Sequence, residues 1–230
     1  MNDTAKNDDT HRDDRVAIIT GAARGLGAAI ARTLAADGMR IVAMDRDAAG
    51  VEALVAELDP GTGRAIPVVG DITQEASAGQ AVEAAIGAFG RIDVLVNNAA
   101  IDITVPIDEL AVVDWNRVLA TNLGAPFMMT KAALPELRRN GGYVVNIAST
   151  ASCRAWPNAS AYHATKRGLL GLSRALHAEL RPQGVKVTAI IAGGMRTPFL
   201  LDRFPDIDPG LLQDPQNVAA TVRFALSQPT

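Results

Sequence analysis

Tyr162 and Lys166 lie four residues apart in the segment Ser-Ala-Tyr-His-Ala-Thr-Lys, inside an apolar stretch with a helical pattern. Residues at positions i and i+4 share one face of a helix, so the lysine ammonium would lie beside the tyrosine phenol. A phenol has a reference pKa of about 10, and a nearby positive charge lowers that pKa. Such a tyrosine could take or give a proton near neutral pH. Because most pairs with this spacing are ordinary helix-surface residues, the meaning of the pair depends on the surrounding chain.

The chain around this pair alternates short apolar runs with helical stretches. Strands are predicted at Val16–Thr20, Ile41–Met44, Ile66–Val69, Val94–Val96, Tyr143–Ile147 and Val185–Ile191. Helices are predicted from the glycine-rich turn after the first strand to about Asp37, and over Val51–Leu58, Gln74–Phe89, Asp108–Arg139, Ala159–Leu180 and Pro215–Leu226. The predicted strands are apolar throughout, which is typical of strands buried on both faces of a parallel sheet. This order predicts an α/β protein, a three-layer doubly wound Rossmann fold with a mainly parallel sheet.

Length and composition indicate one domain, residues 15–230, preceded by a short tail. The chain has 230 residues, of which 48% are hydrophobic, and this is enough to form one sizeable core. Residues 1–14 are polar and rich in Asp and Asn, with no apolar centre. We therefore expect a flexible tail there rather than a signal peptide.

Charge and cysteine content narrow the possible partners. The chain has 22 Lys and Arg against 25 Asp and Glu, a formal net charge of −3, which disfavours a broad surface for nucleic acid or anionic membranes. Its apolar runs are far shorter than the roughly 20 residues of a membrane-spanning helix. The single cysteine, Cys153, excludes an internal disulfide and suits a reducing compartment. We expect a cytoplasmic protein that acts on a small molecule, with no metal site and no nucleic-acid or membrane partner.

Three glycines, Gly21, Gly25 and Gly27, fall between the first predicted strand and the first predicted helix. At this position a helix N-terminus presents free N–H groups and a positive dipole end to a phosphate, and glycine lets the backbone approach a pyrophosphate closely. The spacing G-x-x-x-G-x-G differs from the G-x-G-x-x-G fingerprint of many dinucleotide sites. We still interpret this turn, by its position, as a dinucleotide site rather than an ordinary loop.

Asp45 ends the second predicted strand, where a carboxylate can accept a hydrogen bond from a ribose 2′-hydroxyl and repel a 2′-phosphate. This favours NAD over NADP as the cofactor. Arg24 and Arg46 keep NADP possible, since either guanidinium could reach a 2′-phosphate. After the third strand, Asp71 and Ile72 could bind adenine, and a helix-capping Asp71 is the equal alternative.

Further motifs follow in order along the chain, and together they resemble the short-chain dehydrogenase/reductase family. The matching positions are Thr20-Gly21-x-x-x-Gly25-x-Gly27, Asp71, Asn97-Asn98-Ala99, Asn122, Ser149 and Tyr162-x-x-x-Lys166. They span the chain from Arg15 to the final helix, and several independent matches in one order are far more specific than any single match. The resemblance implies a Rossmann fold and a nicotinamide-dependent oxidoreductase that acts on an alcohol or a carbonyl.

The resemblance also implies a role for each of four catalytic residues. Tyr162 would be the general acid/base that exchanges a proton with the substrate oxygen, and Lys166 would lower its pKa and hydrogen-bond the nicotinamide ribose. Ser149 would donate a hydrogen bond to the same substrate oxygen, and Asn122 would hold a water that links Lys166 to solvent. Taken alone, Ser149 could equally cap the end of its strand. Asn122 could equally hydrogen-bond backbone groups left without partners at a helix kink.

The expected cofactor site combines the motifs above with two positions after the sixth strand. Its residues are Gly21, Arg24, Gly25, Leu26, Gly27, Asp45, Arg46, Asp71, Ile72, Asn98, Ala99, Ala100, Tyr162, Lys166, Gly193 and Thr197. Three features depart from the family pattern. Ala100 stands where the family has glycine, and Ala192-Gly193 replaces Pro-Gly, which removes a fixed φ. The family also has one more strand after the last helix, so we expect that final strand to be absent from this chain.

The segment Met195–Asp214 follows the sixth strand and should overhang the site. It is apolar with three prolines, and it is either a substrate lid or a packed surface helix. Substrate contacts are expected from Ser149, Trp156, Met195 and Phe199, with Ile101, Asp102, Arg154, Ala155 and His163 as further candidate wall positions.

The leading hypothesis is hydride transfer between NAD(H) and a secondary alcohol or ketone, with Tyr162 as the general acid/base. One alternative is an NADPH-dependent 3-oxoacyl-[acyl-carrier-protein] reductase, against which Asp45 and the lack of an evident basic cluster argue. A non-catalytic cofactor-binding regulator is an alternative of another class, but such a protein would be expected to lose the catalytic side chains. The resemblance further implies a homodimer or homotetramer assembled through the helices predicted at 108–139 and 159–180.

Overall fold

The computed structural model describes residues 14–228, and these residues form a three-layer protein around a six-stranded sheet. The strands are β1 (Val16–Thr20), β2 (Arg40–Asp45), β3 (Ala65–Val69), β4 (Val94–Asn97), β5 (Tyr143–Ser149) and β6 (Lys186–Ala192). All neighbouring strands are parallel, in the order β3-β2-β1-β4-β5-β6. The order reverses between β1 and β4, and such a switch point leaves a ligand-binding crevice at the carboxyl ends of the strands. The predicted doubly wound Rossmann fold is confirmed.

The α-helices of the described residues connect the strands and cover both faces of the sheet. They are α1 (Gly25–Ala36), α2 (Ala48–Leu58), α3 (Glu75–Phe89), α4 (Val112–Leu119), α5 (Ala125–Asn140), α6 (Ser160–Leu180), α7 (Pro198–Leu201) and α8 (Pro215–Leu226). Side chains of α1, α2 and α8 pack on one face, and those of α3, α5 and the end of α6 pack on the other.

Burial on both faces explains why the strands are apolar without alternation. Ile18 and Ile19 of β1 point to opposite faces because successive strand residues alternate in direction. Both are fully buried, Ile19 in the core beneath α1 and Ile18 in the core beneath α3 and α5. The central strands β1 and β4 are therefore held in the middle of the molecule, whereas the edge strands β3 and β6 carry exposed residues such as Val69 and Ile191.

The long helix predicted at 108–139 is interrupted in the structure. It begins at Val112 rather than Asp108, and a π-helical stretch, Ala120–Gly124, separates α4 from α5. The prediction of one continuous helix did not include this break. Single π turns occur frequently at functional sites, and this one contains Asn122.

The two ends of the described chain are tied to the body of the protein. Of the predicted flexible tail 1–14, residues 1–13 lie outside the described residues. Asp14 forms ion pairs with Arg40 (3.4 Å) and Arg64 (3.1 Å), close to the start of β2 and β3. At the other end, Lys186 at the start of β6 donates a hydrogen bond to the Gln228 carbonyl (2.9 Å). Between residues 14 and 228, no helix is long and apolar enough to cross a membrane.

The 195–214 segment leaves the sheet after β6 and returns to its own starting point. Met195 forms a parallel bridge with Gln213, and the Arg196 N–H donates to the Gln213 carbonyl at 2.9 Å. The segment contains α7 and a 3-10 turn, Pro209–Leu211. The segment is thus a long loop whose two ends are hydrogen-bonded to each other, rather than one packed surface helix.

Candidate active site

A cavity of about 810 Å³ opens at the carboxyl edge of the sheet. Its size is within the range of small-molecule and cofactor sites. The residues predicted to bind the cofactor all line it, with the exception of Gly27. Ser149, Trp156, Met195 and Phe199, predicted to contact the substrate, line it as well. Sequence reasoning thus identified most of the cavity wall.

The glycine-rich turn after β1 has the geometry of a phosphate cradle. Gly21 has φ of +66°, and a Cβ there would lie 2.8 Å from the Ala99 Cα, so only glycine fits. Helix α1 starts at Gly25 with no side-chain cap and no acidic residue in its first turn. Its N–H groups and its positive dipole end are therefore available to an anion. These features fit the pyrophosphate of a dinucleotide.

Gly27 does not line the cavity, and its lack of a side chain is required by packing. A Cβ at this position would lie 2.0 Å from the Gly21 carbonyl oxygen and 2.7 Å from Asn98 Nδ2. The glycine therefore lets α1 approach the turn that follows β1. The expectation that Gly27 binds the cofactor stays a prediction.

Thr20 and Asn98 join the turn after β1 to the end of β4. The Thr20 hydroxyl accepts hydrogen bonds from the N–H groups of Asn98 (3.0 Å) and Ala99 (3.1 Å). In return, the Asn98 side chain donates to the carbonyls of Thr20 (2.9 Å) and Gly21 (3.1 Å). Asn98 thus acts as a brace that fixes the turn, in addition to lining the cavity.

The carboxylate of Asp45 is held at the end of β2 by two backbone donors. Its oxygens accept hydrogen bonds from the N–H groups of Ala23 (3.0 Å) and Asp47 (3.1 Å). Arg46 lines the cavity beside it. Arg24 lies 3.6 Å from Asp202, an exposed ion pair that connects the glycine turn to the 195–214 segment.

Asp71 lies at the rim where adenine was predicted to bind. Hydrogen bonds from the Thr73 backbone N–H (2.9 Å) and hydroxyl (2.8 Å) lower the pKa of its carboxyl, and the charges of Arg46 and Arg117 lower it further. Helix α3 has Gln74 rather than Asp71 as its N-cap. Asp71 therefore shapes the turn after β3 and also lines the cavity with Ile72.

Tyr162 and Lys166 lie on α6 with both side chains almost completely buried. The Lys166 ammonium is 5.6 Å from the centre of the Tyr162 ring and donates to the Ile147 carbonyl at 2.8 Å. Burial lowers the pKa of Lys166 to about 8, against a smaller raising effect of Asp102.

The expected lowering of the Tyr162 pKa is not found in the structure. Burial raises the pKa of Tyr162 to about 12, and the charge of Asp102 acts in the same direction, while the Ser149 hydroxyl and Arg203 act against it. Desolvation of the phenolate is the largest cause, and Lys166, which the helix spacing suggested would lower this pKa, is not among the causes of the shift.

Ser149 ends β5 and begins a 3-10 turn, Thr150–Ser152. Its hydroxyl accepts a hydrogen bond from the Ala151 N–H (3.2 Å), so it caps this turn while lining the cavity. The Ser152 hydroxyl donates to the Lys166 carbonyl at 2.8 Å. The turn after β5 is in this way fastened to the helix that carries the tyrosine and the lysine.

Asn122 lies behind the cavity wall and has no exposed surface. Its amide oxygen accepts from the Ile101 N–H (2.9 Å), and its amide nitrogen donates to the Ile101 carbonyl (2.8 Å) and to the Thr165 hydroxyl (3.2 Å). Both amide protons are therefore used within the protein. The side chain fixes the loop after β4 to α6, which the sequence had not indicated.

A second buried polar network supports the floor of the site. The Asn97 side chain donates to Asn146 Oδ1 at 2.8 Å, and Asn146 in turn donates to the Ser173 hydroxyl at 2.9 Å. Ser173 donates to the Leu169 carbonyl of α6 at 2.6 Å. The chain of bonds joins β4, β5 and α6 directly beneath the residues that line the cavity.

His163 positions Trp156 rather than lining the cavity. One ring nitrogen lies 3.1 Å from the Ala151 carbonyl, and the other accepts from the Trp156 N–H at 3.2 Å. The two rings also pack edge to face, with centroids 4.2 Å apart. Arg154 and Ala155, named with His163 as candidate wall positions, do not line the cavity either, whereas Ile101 and Asp102 do.

Residues of the 195–214 segment form one wall of the cavity. The Phe199 ring lies 6.1 Å from the Tyr162 ring. Arg203 forms an ion pair with Asp102, and its guanidinium lies over the rings of Phe199 (4.3 Å) and Phe204 (5.5 Å). Nothing in the sequence pairs residues 102 and 203, which approach only because the segment folds back over the end of β4.

Comparisons with known proteins identify the family of this chain. The short chain dehydrogenase family matches residues 15–208. D-threitol dehydrogenase of Mycolicibacterium smegmatis is 42% identical over 183 residues, which cover 79% of this chain and 70% of that protein. The structure of 3-ketoacyl-(acyl-carrier-protein) reductase from Brucella melitensis complexed with NADH is 33% identical, with a TM-score of 0.85 and coverage of 93% of this chain and 91% of that one. A structure from Beutenbergia cavernae with bound NADP is 32% identical, with a TM-score of 0.84 and coverage of 93% and 89%.

Fold, motifs and relatives lead to one conclusion. The glycine turn, the strand order and the tyrosine–lysine pair occur together over nearly the whole chain, and the matched family consists of oxidoreductases. The chain belongs to the short-chain dehydrogenase family and transfers hydride between a nicotinamide cofactor and an alcohol or ketone.

Proposed function

We propose that this enzyme interconverts a secondary alcohol and a ketone with NAD(H) as the preferred cofactor, and that Tyr162 exchanges the proton. One observation carries the proposal: Tyr162, Lys166 and Ser149 line the same cavity as the glycine turn and the Asp45 carboxylate. A proton-transfer group and a dinucleotide cradle thus face a single space. The nicotinamide, when bound, supplies the acceptor or donor of the hydride.

The site residues have separate roles in proton transfer, in stabilising the substrate oxygen and in binding the cofactor. In ketone reduction, the Tyr162 hydroxyl donates a proton to the substrate oxygen, and in alcohol oxidation the phenolate takes it back. Ser149 donates a second hydrogen bond to that oxygen and stabilises the charge that develops there. Lys166 keeps a positive charge beside the phenol and offers a donor to the cofactor ribose. Asn122 holds the loop after β4 in place, and a relay water would reach Lys166 through its backbone rather than through its occupied amide protons.

The raised pKa of Tyr162 has a direct consequence for the direction of proton transfer. With a pKa of about 12, the phenol is neutral at pH 7 and ready to donate to a ketone oxygen. Oxidation requires the ionised form, so its rate should increase with pH. Lys166, with a pKa of about 8, is mostly protonated at pH 7 and favours the phenolate when it forms.

The preference for NAD rests on Asp45. The backbone N–H groups of Ala23 and Asp47 fix its carboxylate at the cavity wall. There the carboxylate can accept a hydrogen bond from a ribose 2′-hydroxyl and repel a 2′-phosphate. The alternative is an NADPH-dependent 3-oxoacyl-[acyl-carrier-protein] reductase. The likeness to the Brucella reductase, whose structure contains NADH, supports its substrate, and Arg46 at the same wall supports its cofactor. The negative charge of Asp45 argues against this alternative, because it would repel the 2′-phosphate of NADPH.

We also propose that the enzyme assembles as a homodimer or homotetramer through α4, α5 and α6. Val112, Val113 and Phe127 are each more than half exposed on the first two of these helices. Large apolar side chains grouped on one surface are typical of protein interfaces. Light scattering coupled to size exclusion should give a multiple of the monomer mass, and a monomer would refute this assembly.

The decisive experiment replaces each of the chain's two tyrosines in turn. Tyr162→Phe removes the proton-exchanging hydroxyl and should reduce kcat by a factor of about 100 to 10,000, while NADH binding, followed by fluorescence, stays unchanged. Tyr143→Phe is the matched control, because that hydroxyl contacts Thr188 (2.6 Å) at the opposite end of the sheet. Its turnover should match the wild type. Full activity in Tyr162→Phe would overturn the mechanism.

A further inference from the structure

We propose that Asp102 recognises a second hydroxyl group, so that the preferred substrate is a diol or polyol rather than a simple alcohol. The proposal deepens the proposed function and rests on it. It assigns a specificity-determining role to a carboxylate on the substrate side of the cavity.

The carboxylate is held in a fixed position with one oxygen engaged. Ile101, the preceding residue, has both its N–H and its carbonyl bound by the Asn122 side chain. Asp102 Oδ2 accepts from Arg203 and lies 3.4 Å from the Thr104 hydroxyl, and the side chain is only 5% exposed. Oδ1 is buried and has no hydrogen-bond partner among residues 14–228.

A buried carboxylate oxygen without a donor is unfavourable, because its water has been removed and not replaced. A substrate that brings a donor to Oδ1 regains that hydrogen bond, whereas a substrate without one does not. Arg203, which engages Oδ2, belongs to the 195–214 segment that lines the cavity. In this proposal a substrate that displaces the segment reaches Oδ1, which bulk solvent does not.

The charges around Oδ1 select a neutral donor. Arg203 balances the charge of Asp102, so an ammonium group approaching Oδ1 would be repelled by the guanidinium beside it. A substrate carboxylate would be repelled by Asp102 itself. A hydroxyl donates without bringing a charge, and it is the group that meets both conditions.

The position of the pair places the second hydroxyl in the same cavity as the reacting one. Asp102 and Arg203 line the same cavity as Ser149 and Tyr162. The Phe199 ring is close to both groups: it lies 6.1 Å from the Tyr162 ring and 4.3 Å from the Arg203 guanidinium. The charge of Asp102 also raises the pKa of both Tyr162 and Lys166, as expected for groups around one space.

The test compares two substrates that differ by one donor. Butane-2,3-diol and 3-methoxybutan-2-ol each carry a secondary alcohol beside a second oxygen, but the methyl ether cannot donate a hydrogen bond. Oxidation is followed at 340 nm with NAD and NADP separately. In the wild type, kcat/KM for the diol should exceed that for the ether by about tenfold or more.

Asp102→Asn should remove this preference. The amide oxygen must face the Arg203 guanidinium, which leaves the amide NH₂ at the position of Oδ1, where it donates equally to a hydroxyl and to an ether. The ratio should therefore fall to near one. Asp108→Asn, an exposed carboxylate farther along the same loop, is the control and should keep the wild-type ratio.

The outcomes separate the inference from the proposed function. Equal oxidation of the two alcohols by the wild type overturns the role of Asp102, even if the variant does not fold. An unchanged ratio in Asp102→Asn also overturns it, and in both cases the proposed function stands. Absence of Tyr162-dependent turnover with any alcohol or ketone would overturn the proposed function, and the inference with it.

Discussion

The cofactor preference offers the most direct test of the cavity's charge, through Asp45→Asn. In the wild type both carboxylate oxygens accept backbone hydrogen bonds, from Ala23 (3.0 Å) and Asp47 (3.1 Å). The amide keeps the shape of the side chain but turns one acceptor into a donor and removes the charge. A charged acceptor is worth about 1 kcal/mol more than a neutral one to a ribose hydroxyl. NAD binding should weaken by that amount.

The same change relieves the repulsion of a 2′-phosphate. Two unit charges about 5 Å apart interact by about 1 to 3 kcal/mol at effective dielectric constants between those of water and a protein surface, and salt reduces this further. The two effects together give about 2 to 3 kcal/mol, or a change of about 30- to 150-fold in the ratio of kcat/KM with NAD to kcat/KM with NADP.

Steady-state kinetics with both cofactors, at one ionic strength, measure this ratio. Asp47→Asn is the matched control, since Asp47 caps α2 through the Gly50 N–H (3.1 Å) and asparagine is an equally good cap. The control should keep the wild-type ratio. A change of less than about threefold in Asp45→Asn would refute the assignment of cofactor preference to this carboxylate.

Two further predictions concern stability. The folded-state pKa of Lys166 is lowered to about 8 from 10.5, so between these values the unfolded chain binds one proton more than the native one and stability rises with pH. From pH 8 to 9.5 the wild type should gain about 2 kcal/mol relative to Lys166→Met in urea unfolding, and parallel pH profiles would contradict the burial effect. Gly27→Ala should destabilise the protein by about 1 to 3 kcal/mol because its Cβ overlaps the Gly21 carbonyl; Gly79→Ala in α3, with no atom within 4 Å of the new Cβ, should instead stabilise it by about 0.5 to 1 kcal/mol. Thermal or urea unfolding of the two variants side by side decides the second prediction, and equal effects would contradict it.

The positions of the strands were predictable from the sequence because the cause of the pattern is local. Residues such as Ile18 and Ile19 are buried on opposite faces, and apolar runs without alternation report this directly. The cavity wall was predictable for a related reason, since parallel strands deliver the residues after them to a single edge. Gly27 shows the limit of this reasoning, because a glycine needed for helix packing looks the same in sequence as one needed for a phosphate.

The features that sequence reasoning missed depend on contacts between distant parts of the chain. The break at Ala120–Gly124 changes the hydrogen-bond spacing by one residue inside a stretch that was predicted as one continuous helix. The pairing of Asp102 with Arg203 requires the 195–214 segment to fold back over the end of β4. The pKa of Tyr162 rises rather than falls because burial, which helix spacing does not measure, is its largest cause.

The Asn97–Asn146 hydrogen bond joins residues that are direct partners across β4 and β5. If β5 slipped by one position, every side chain of that strand would turn to the opposite face, and Asn146 would lose both Asn97 and Ser173 in an apolar interior. Ser149, three residues farther along, would be carried about 3.3 Å along the strand and would turn away from the cavity. The hydrogen bond between these two buried amides thus fixes the register of β5. It thereby fixes the position of Ser149, although neither amide lines the cavity.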